Sequence, residues 1–172
     1  MNFLYKVVLT FNATSWMIVV YGINQHWQIC DSPQWVTNVS LLLLPVVSSL
    51  ISLVITYGLE NDSMRRCEEY NLADNEFLPT YLGYFFVSLS TNDNTVMLFL
   101  YGIVFVFTWL SQTQYFNPLY LLFGFHYYHV LTVHGTRVFI IVRGDVIRHK
   151  ENMSFSSLKR INDTTYLAMK GE

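Results

Sequence analysis

Charged residues are scarce in this sequence. Only 13% of its 172 residues are Asp, Glu, Lys or Arg, whereas 52% are hydrophobic and 17% are aromatic. Soluble domains carry about 25% charged residues, so the composition indicates a membrane protein. The formal net charge is −2, and the chain as a whole therefore lacks the basic character of a nucleic-acid-binding protein.

Cysteine is also rare, and the two that are present, Cys30 and Cys67, are not spaced as metal ligands. No small-residue cleavage site follows the first apolar segment, so we do not predict a cleaved export signal. The long apolar segments have no acidic or basic residue in their interiors. Because proton and ion pathways usually need such groups, this absence argues against a proton-coupled transporter and an intramembrane aspartyl or metalloprotease. We expect no catalytic residue, metal or cofactor.

Four apolar segments between the charged residues predict four membrane-spanning helices. They cover about residues 4–23, 36–57, 77–90 and 95–112. Pro45 predicts a kink in the second segment, because proline removes one backbone hydrogen bond. The third segment is short and must be tilted or assisted by its neighbours.

The basic residues give an orientation for these helices. All ten Lys and Arg residues lie at the N-terminus, in the loop 58–76, or in the C-terminal region. The positive-inside rule then places both termini in the cytoplasm. The predicted fold class is an all-α membrane protein, with four transmembrane helices and a small cytoplasmic β-hairpin module.

The segment after the fourth span is mostly apolar but does not resemble a span. Asn117 and Pro118 are typical of an N-cap and a first helical residue, which predicts a short helix on the membrane surface. The next residues, "YYHVLTV" and "TRVFIIVR", are rich in β-branched and aromatic side chains and are separated by His134 and Gly135. This spacing predicts a hairpin. The hairpin needs a cover, because an isolated one is marginally stable.

Three regions follow from these assignments. A transmembrane domain covers residues 1–114, the interfacial helix and hairpin cover 115–148, and a polar tail covers 149–172. Two further short helices are predicted, one after Ser63 and one around residues 157–161.

Charge and residue size give candidate interaction residues. The partner-binding candidates are charged residues of the cytoplasmic regions: Arg65, Arg66, Glu68, Glu69, Arg137, Arg143 and Arg148. The candidates for packing between protomers are the small residues Ser48, Ser49 and Ser52. Membrane lipids are expected to contact the basic residues at the cytoplasmic surface.

Two patterns in the sequence are only weak indications of catalytic or metal chemistry. His126 and His129 would share a metal on a helix, but strand geometry places them on opposite faces. Arg143 and His149 are separated by five residues, a spacing that resembles the arginine-to-histidine element of HEPN ribonucleases. Basic residues are expected at these positions from the predicted topology alone.

The sequence from about residue 75 to residue 143 resembles the KwaA family, the membrane subunit of the Kiwa anti-phage defence system. The resemblance lies in Asn117-Pro118 with the leucines after it, Gly124-Phe125, the aromatic pair Tyr127-Tyr128, and a hairpin around Gly135 that ends in Arg143. The third apolar segment, "FLPTYLGYFF" preceded by acids, is also similar.

The resemblance implies a non-enzymatic inner-membrane protein that assembles as a homo-oligomer, with a tetramer expected. Such a protein would sense phage attack and hold a soluble DNA-binding effector, KwaB, on its cytoplasmic side. The hairpin would offer strand edges to that partner.

Two other functions are weighed against this one. An oligomeric pore would perturb the membrane during defence, with Asn12, Ser88 or Ser90 lining a path. An enzyme would use the cytoplasmic module and depend on His149.

Overall fold

The structure is a computed structural model that describes residues 3–64, 67–111, 117–133, 135–147, 155–162 and 164–168. The helices are α1 (Phe3–Asn24), α2 (Gln34–Thr56), α3 (Leu78–Ser90), α4 (Asn94–Ser111) and α5 (Pro118–Leu122); the strands are β1 (Asn61–Met64), β2 (Cys67–Leu72), β3 (Phe125–Thr132), β4 (Arg137–Arg143), β5 (Phe155–Arg160) and β6 (Thr165–Ala168). The chain forms two compact units. The helical unit comprises Asn2–Ser52 and Phe77–Phe116, and the sheet unit comprises Leu53–Glu76 and Asn117–Glu172.

The predicted fold class is wrong. The sheet unit contains a six-stranded sheet, so the protein is not all-α with an added hairpin. Within the described residues, three helices are long and apolar enough to cross a membrane: Tyr5–Asn24, Gln34–Thr56 and Asn94–Ser111. The predicted third span is α3, which has 13 residues and is about 20 Å long. That length is short of the roughly 30 Å hydrocarbon core.

Helix α1 is hydrogen-bonded to the three other helices of the helical unit. Thr14 Oγ1 lies 3.2 Å from the Tyr101 hydroxyl on α4, and Ser88 Oγ on α3 donates to the Met17 carbonyl at 2.9 Å. Asn12 accepts a hydrogen bond from Ser48 on α2. Each such bond between apolar helices contributes about 0.6–2 kcal/mol. The polar residues of α1 thus fix how its neighbours pack around it.

The outward surfaces of α2 and α4 are strongly apolar. Their exposed side chains include Val39, Leu43, Val47 and Leu50 on α2 and Leu98, Phe99, Ile103 and Phe107 on α4. Exposed apolar surface on this scale is unfavourable in water. These faces are suited to contact with lipid or with another apolar helix.

The sheet has the strand order β1-β5-β6-β4-β3-β2. Strands β3 and β4 pair antiparallel as the predicted hairpin, with Tyr128 opposite Ile140, and Gly135 adopts a φ of 73° in the turn; His134 lies outside the described residues. The hairpin is central, because β2 pairs with β3 and β6 pairs with β4. The expectation that the hairpin offers free edges is therefore wrong.

The sheet is curled. Its two terminal strands, β1 and β2, are joined by only two residues, so the Cα atoms of Met64 and Cys67 lie within about 11 Å of each other. In a flat sheet six strands wide, the outermost strands would lie about 24 Å apart. One face of the sheet carries an apolar cluster that includes Tyr128, Val130, Val138, Ile140, Val142 and Leu158.

Of the three short helices predicted from the sequence, one is confirmed and two are wrong. The Asn117 side chain accepts from the Leu119 N–H at 3.1 Å and Pro118 begins α5, so the predicted capped helix is confirmed; its position on a membrane surface stays a prediction. The helix predicted after Ser63 is wrong, because those residues form β1 and β2. The helix predicted at residues 157–161 is wrong as well, because that segment lies mainly in β5.

Candidate partner-binding groove

A groove lies on the other face of the sheet, across β2, β3 and β4. The register places Glu69 opposite Leu131 and Leu131 opposite Arg137, and cross-strand partners share one face. The groove has a volume of about 280 Å³ and is lined by Glu69, Asn71, Glu76, His129, Val130, Leu131 and Arg137. Apart from Leu131, the lining side chains on this face are polar.

The turn that follows β2, residues 73–76, is held against β3. Asp74 Oδ1 accepts from the Tyr127 N–H at 2.7 Å, and Asp74 Oδ2 lies 2.7 Å from His126 Nδ1. Two residues further on, Glu76 Oε2 lies 2.9 Å from His129 Nε2. The Ala73 N–H also donates to the Tyr127 carbonyl at 2.8 Å. These contacts fix one wall of the groove.

The charges in the groove have both signs. Glu69 and Glu76 lie on the side of β2, and Arg137 lies on β4, about 10 Å from Glu69 at the usual spacing between strands. Arg137 is exposed, and its guanidinium makes no ion pair with any described residue. A groove of this kind can bind a polar polypeptide segment. The described residues contain no cluster of three His, Cys, Asp or Glu side chains that could hold a metal ion.

The structure places two of the predicted partner-binding residues, Glu69 and Arg137, in this groove. Arg143 is on the same face at the far end of β4, where its guanidinium lies 5.8 Å from the Phe125 ring centroid. Glu68 is exposed on β2 beside the groove. Arg65, Arg66 and Arg148 lie outside the described residues, as does His149.

The serines predicted to pack between protomers lie inside the helical unit. Ser49 and Ser52 are fully buried in the single chain, and their hydroxyls donate to the Pro45 and Ser49 carbonyls at 2.6 Å and 2.7 Å. Ser48 donates to Asn12. Contact with a second copy at Ser49 and Ser52 would require this packing to change, and their oligomeric role stays a prediction.

Sequence reasoning missed Asn71, Asp74 and Glu76, and it considered His129 only as a metal ligand together with His126. The two histidines do lie on opposite faces, as predicted, since His126 is opposite Val142 and His129 is opposite Phe139. Their carboxylate partners come from a segment more than fifty residues earlier in the chain. No local pattern links those positions, because only the pairing of β2 with β3 brings them together.

Comparison with known protein families identifies the family to which this chain belongs. The family model described as "Anti-phage protein KwaA" matches residues 5–167. The chain belongs to the KwaA family. The resemblance found in the sequence is thereby confirmed, and the KwaA match extends from α1 into β6, so that it includes every strand of the groove. KwaA membership indicates a role in anti-phage defence, together with other components of the Kiwa system. No curated protein and no solved structure matches the chain.

Proposed function

We propose that this KwaA protein is an inner-membrane sensor and scaffold, which forms a homo-oligomer and holds a cytoplasmic effector of the Kiwa system. The observation that carries the proposal is the division of the chain into two units with different surfaces. One unit presents exposed apolar helices, and the other presents a charged groove on a sheet.

The helical unit supports the membrane part of the proposal. Helices α2, α3 and α4 contain no acidic or basic residue, and α1 contains only Lys6. A charged side chain within the bilayer costs several kcal/mol, so this composition fits burial in lipid. The exposed aliphatic and aromatic faces of α2 and α4 also provide surfaces through which protomers would assemble into the expected tetramer.

The sheet unit supports the docking part. The strands before α3 and those after α4 belong to one sheet. A single soluble partner can therefore contact both chain segments. The basic residues that flank the apolar helices favour the cytoplasmic side, where the resemblance places the DNA-binding effector KwaB.

Co-purification with the effector tests the proposal. We expect the detergent-solubilised full chain to co-elute with KwaB, and we expect Arg137→Glu and Glu69→Lys to weaken that association at least tenfold, because each reverses a charge inside the groove. Glu60→Lys is the matched control, since Glu60 is an exposed acid of the same unit that lies outside β2 and does not line the groove. Failure of the wild-type chain to co-elute would refute the scaffold role.

The same preparation addresses the pore alternative. Asn12 and Ser88 are buried and hydrogen-bonded within the protomer, an arrangement that supports helix packing. We expect vesicles containing the chain alone to retain a trapped dye as well as empty vesicles do. Leakage that Asn12→Ala or Ser88→Ala alters would favour the pore.

A further inference from the structure

Strand β2 has one unpaired edge. It is the last strand in the order of the sheet and pairs only with β3 among the described strands. An edge strand presents a row of backbone donors and acceptors that a further strand can pair with. With six residues, β2 is longer than β1, the other terminal strand, which has four.

The register identifies which backbone groups point to the open side. The Ala73 N–H donates to the Tyr127 carbonyl, and this pair continues the register of Asn71 with His129 and Glu69 with Leu131. In an antiparallel ladder, hydrogen-bonded pairs alternate with non-hydrogen-bonded pairs. The amides of Glu69 and Asn71 therefore point to β3. Those of Tyr70 and Leu72 point away from it.

The side chains at this edge are acidic. Glu68 and Glu69 are both exposed, and β2 contains no basic residue. A strand paired on the open side would place its own side chains opposite these carboxylates, where a Lys or Arg is favourable and a Glu is unfavourable. The same charge disfavours edge-to-edge pairing of two copies of β2, because four glutamates would then share one junction to which β2 contributes no basic residue. The charge thus favours a basic partner over a second copy of this chain.

We propose that the open edge of β2 accepts an extended basic segment of a partner protein as an additional strand. The backbone of Tyr70 and Leu72 supplies hydrogen bonds, and Glu68 and Glu69 select Lys or Arg side chains. The bound segment lies beside the groove, so the inference deepens the proposed function by stating how an effector segment would bind. The existence of the edge site itself does not depend on the identity of the effector.

A synthetic peptide of alternating lysine and valine is the probe, and a peptide of alternating glutamate and valine is its control. We expect the lysine peptide to slow hydrogen exchange at the amides of Tyr70 and Leu72 in the solubilised full chain. The amide of Asn71, already within the β2–β3 ladder, changes little. Unchanged exchange at Tyr70 and Leu72 with the lysine peptide overturns the inference.

Two substitution sets sharpen the test. Leu72→Pro removes one outward N–H, and we expect it to weaken peptide binding roughly tenfold; Leu72→Val keeps the N–H and should bind as the wild type does. The double variant Glu68→Lys with Glu69→Lys should reverse the preference toward the glutamate peptide. If Leu72→Pro does not fold, as judged by circular dichroism, the charge reversal and the wild-type exchange data decide.

The outcome is separable from that of the scaffold proposal. Peptide protection at Tyr70 and Leu72 without any co-elution of KwaB supports the edge site and refutes the scaffold. Co-elution of KwaB with no peptide protection, and with equal strength in Leu72→Pro, supports the scaffold and overturns the edge site.

Discussion

Removal of the Asp74 carboxylate should destabilise the sheet unit far more than removal of the similar carboxylate of Glu76. Asp74 accepts the N–H of Tyr127, a residue that is 0% exposed, and it also contacts His126, with both distances at 2.7 Å. The side chains of His126 and Asp74 are 23% and 16% exposed. A hydrogen bond to a charged group contributes about 1.5–3 kcal/mol, and the partly exposed contact with His126 adds up to about 1 kcal/mol. Asp74→Ala should therefore cost about 2–4 kcal/mol.

Glu76→Ala is the matched control for this substitution. Its pair with His129 has the same chemistry, but the two side chains are 46% and 34% exposed, so the expected cost is about 0–1 kcal/mol. Asp74→Asn, which keeps an acceptor for the Tyr127 N–H, should fall between the two. Thermal unfolding of the solubilised chain, followed by far-ultraviolet circular dichroism, measures the order. Equal losses for Asp74→Ala and Glu76→Ala would refute the reasoning.

Two further predictions follow from single contacts. Ile140→Ala, at a fully buried position of the central strand β4, should lower the free energy of unfolding by about 2–5 kcal/mol, whereas Leu72→Ala, at a half-exposed position, should change it by less than about 0.5 kcal/mol; denaturant titration compares them. Asp93 caps the N-terminus of α4, where its carboxylate accepts hydrogen bonds from the N–H groups of Val96 and Thr95, and these bonds lower its pKa below the usual 3.8. The cap therefore contributes stability above the unfolded-state pKa of Asp93. This contribution is lost as the pH falls through the folded-state pKa. The protection factors of the amides at the start of α4 should fall in that pH range in the wild type, and Asp93→Ala should remove this pH dependence.

Local signals in the sequence were sufficient where one segment determines its own structure. The β-branched and aromatic residues on both sides of His134 and Gly135 predict β3 and β4, and Asn117-Pro118 predicts the start of α5. The apolar runs of α1, α2 and α4 were equally clear. Each of these elements carries its own signal, either a residue composition or a helix cap, within its own residues.

Strands β1 and β2 could not be predicted in the same way. A register shift between Cys67 and Glu69 interrupts the alternation of side chains, so "CEEYNL" has no period of two to detect. The groove could not be predicted for a related reason. Glu69 and Arg137 come to the same groove only because β2 and β4 both pair with β3, and β2 is distant from β3 in the chain. The uncharged stretch at α3 predicts a span, but that prediction is wrong because the helix has 13 residues and is shorter than the hydrocarbon core.

The curled sheet also constrains the timing of folding. Residue 61 pairs with residue 159, so β1 leaves the ribosome long before its only described neighbour has been synthesised. During that interval α3 and α4 are synthesised, and β1 and β2 remain without their partner strands. Formation of the sheet is therefore a late event that follows completion of the helices. A chain that stops before β5 would keep its apolar helices while leaving β1 without a neighbour.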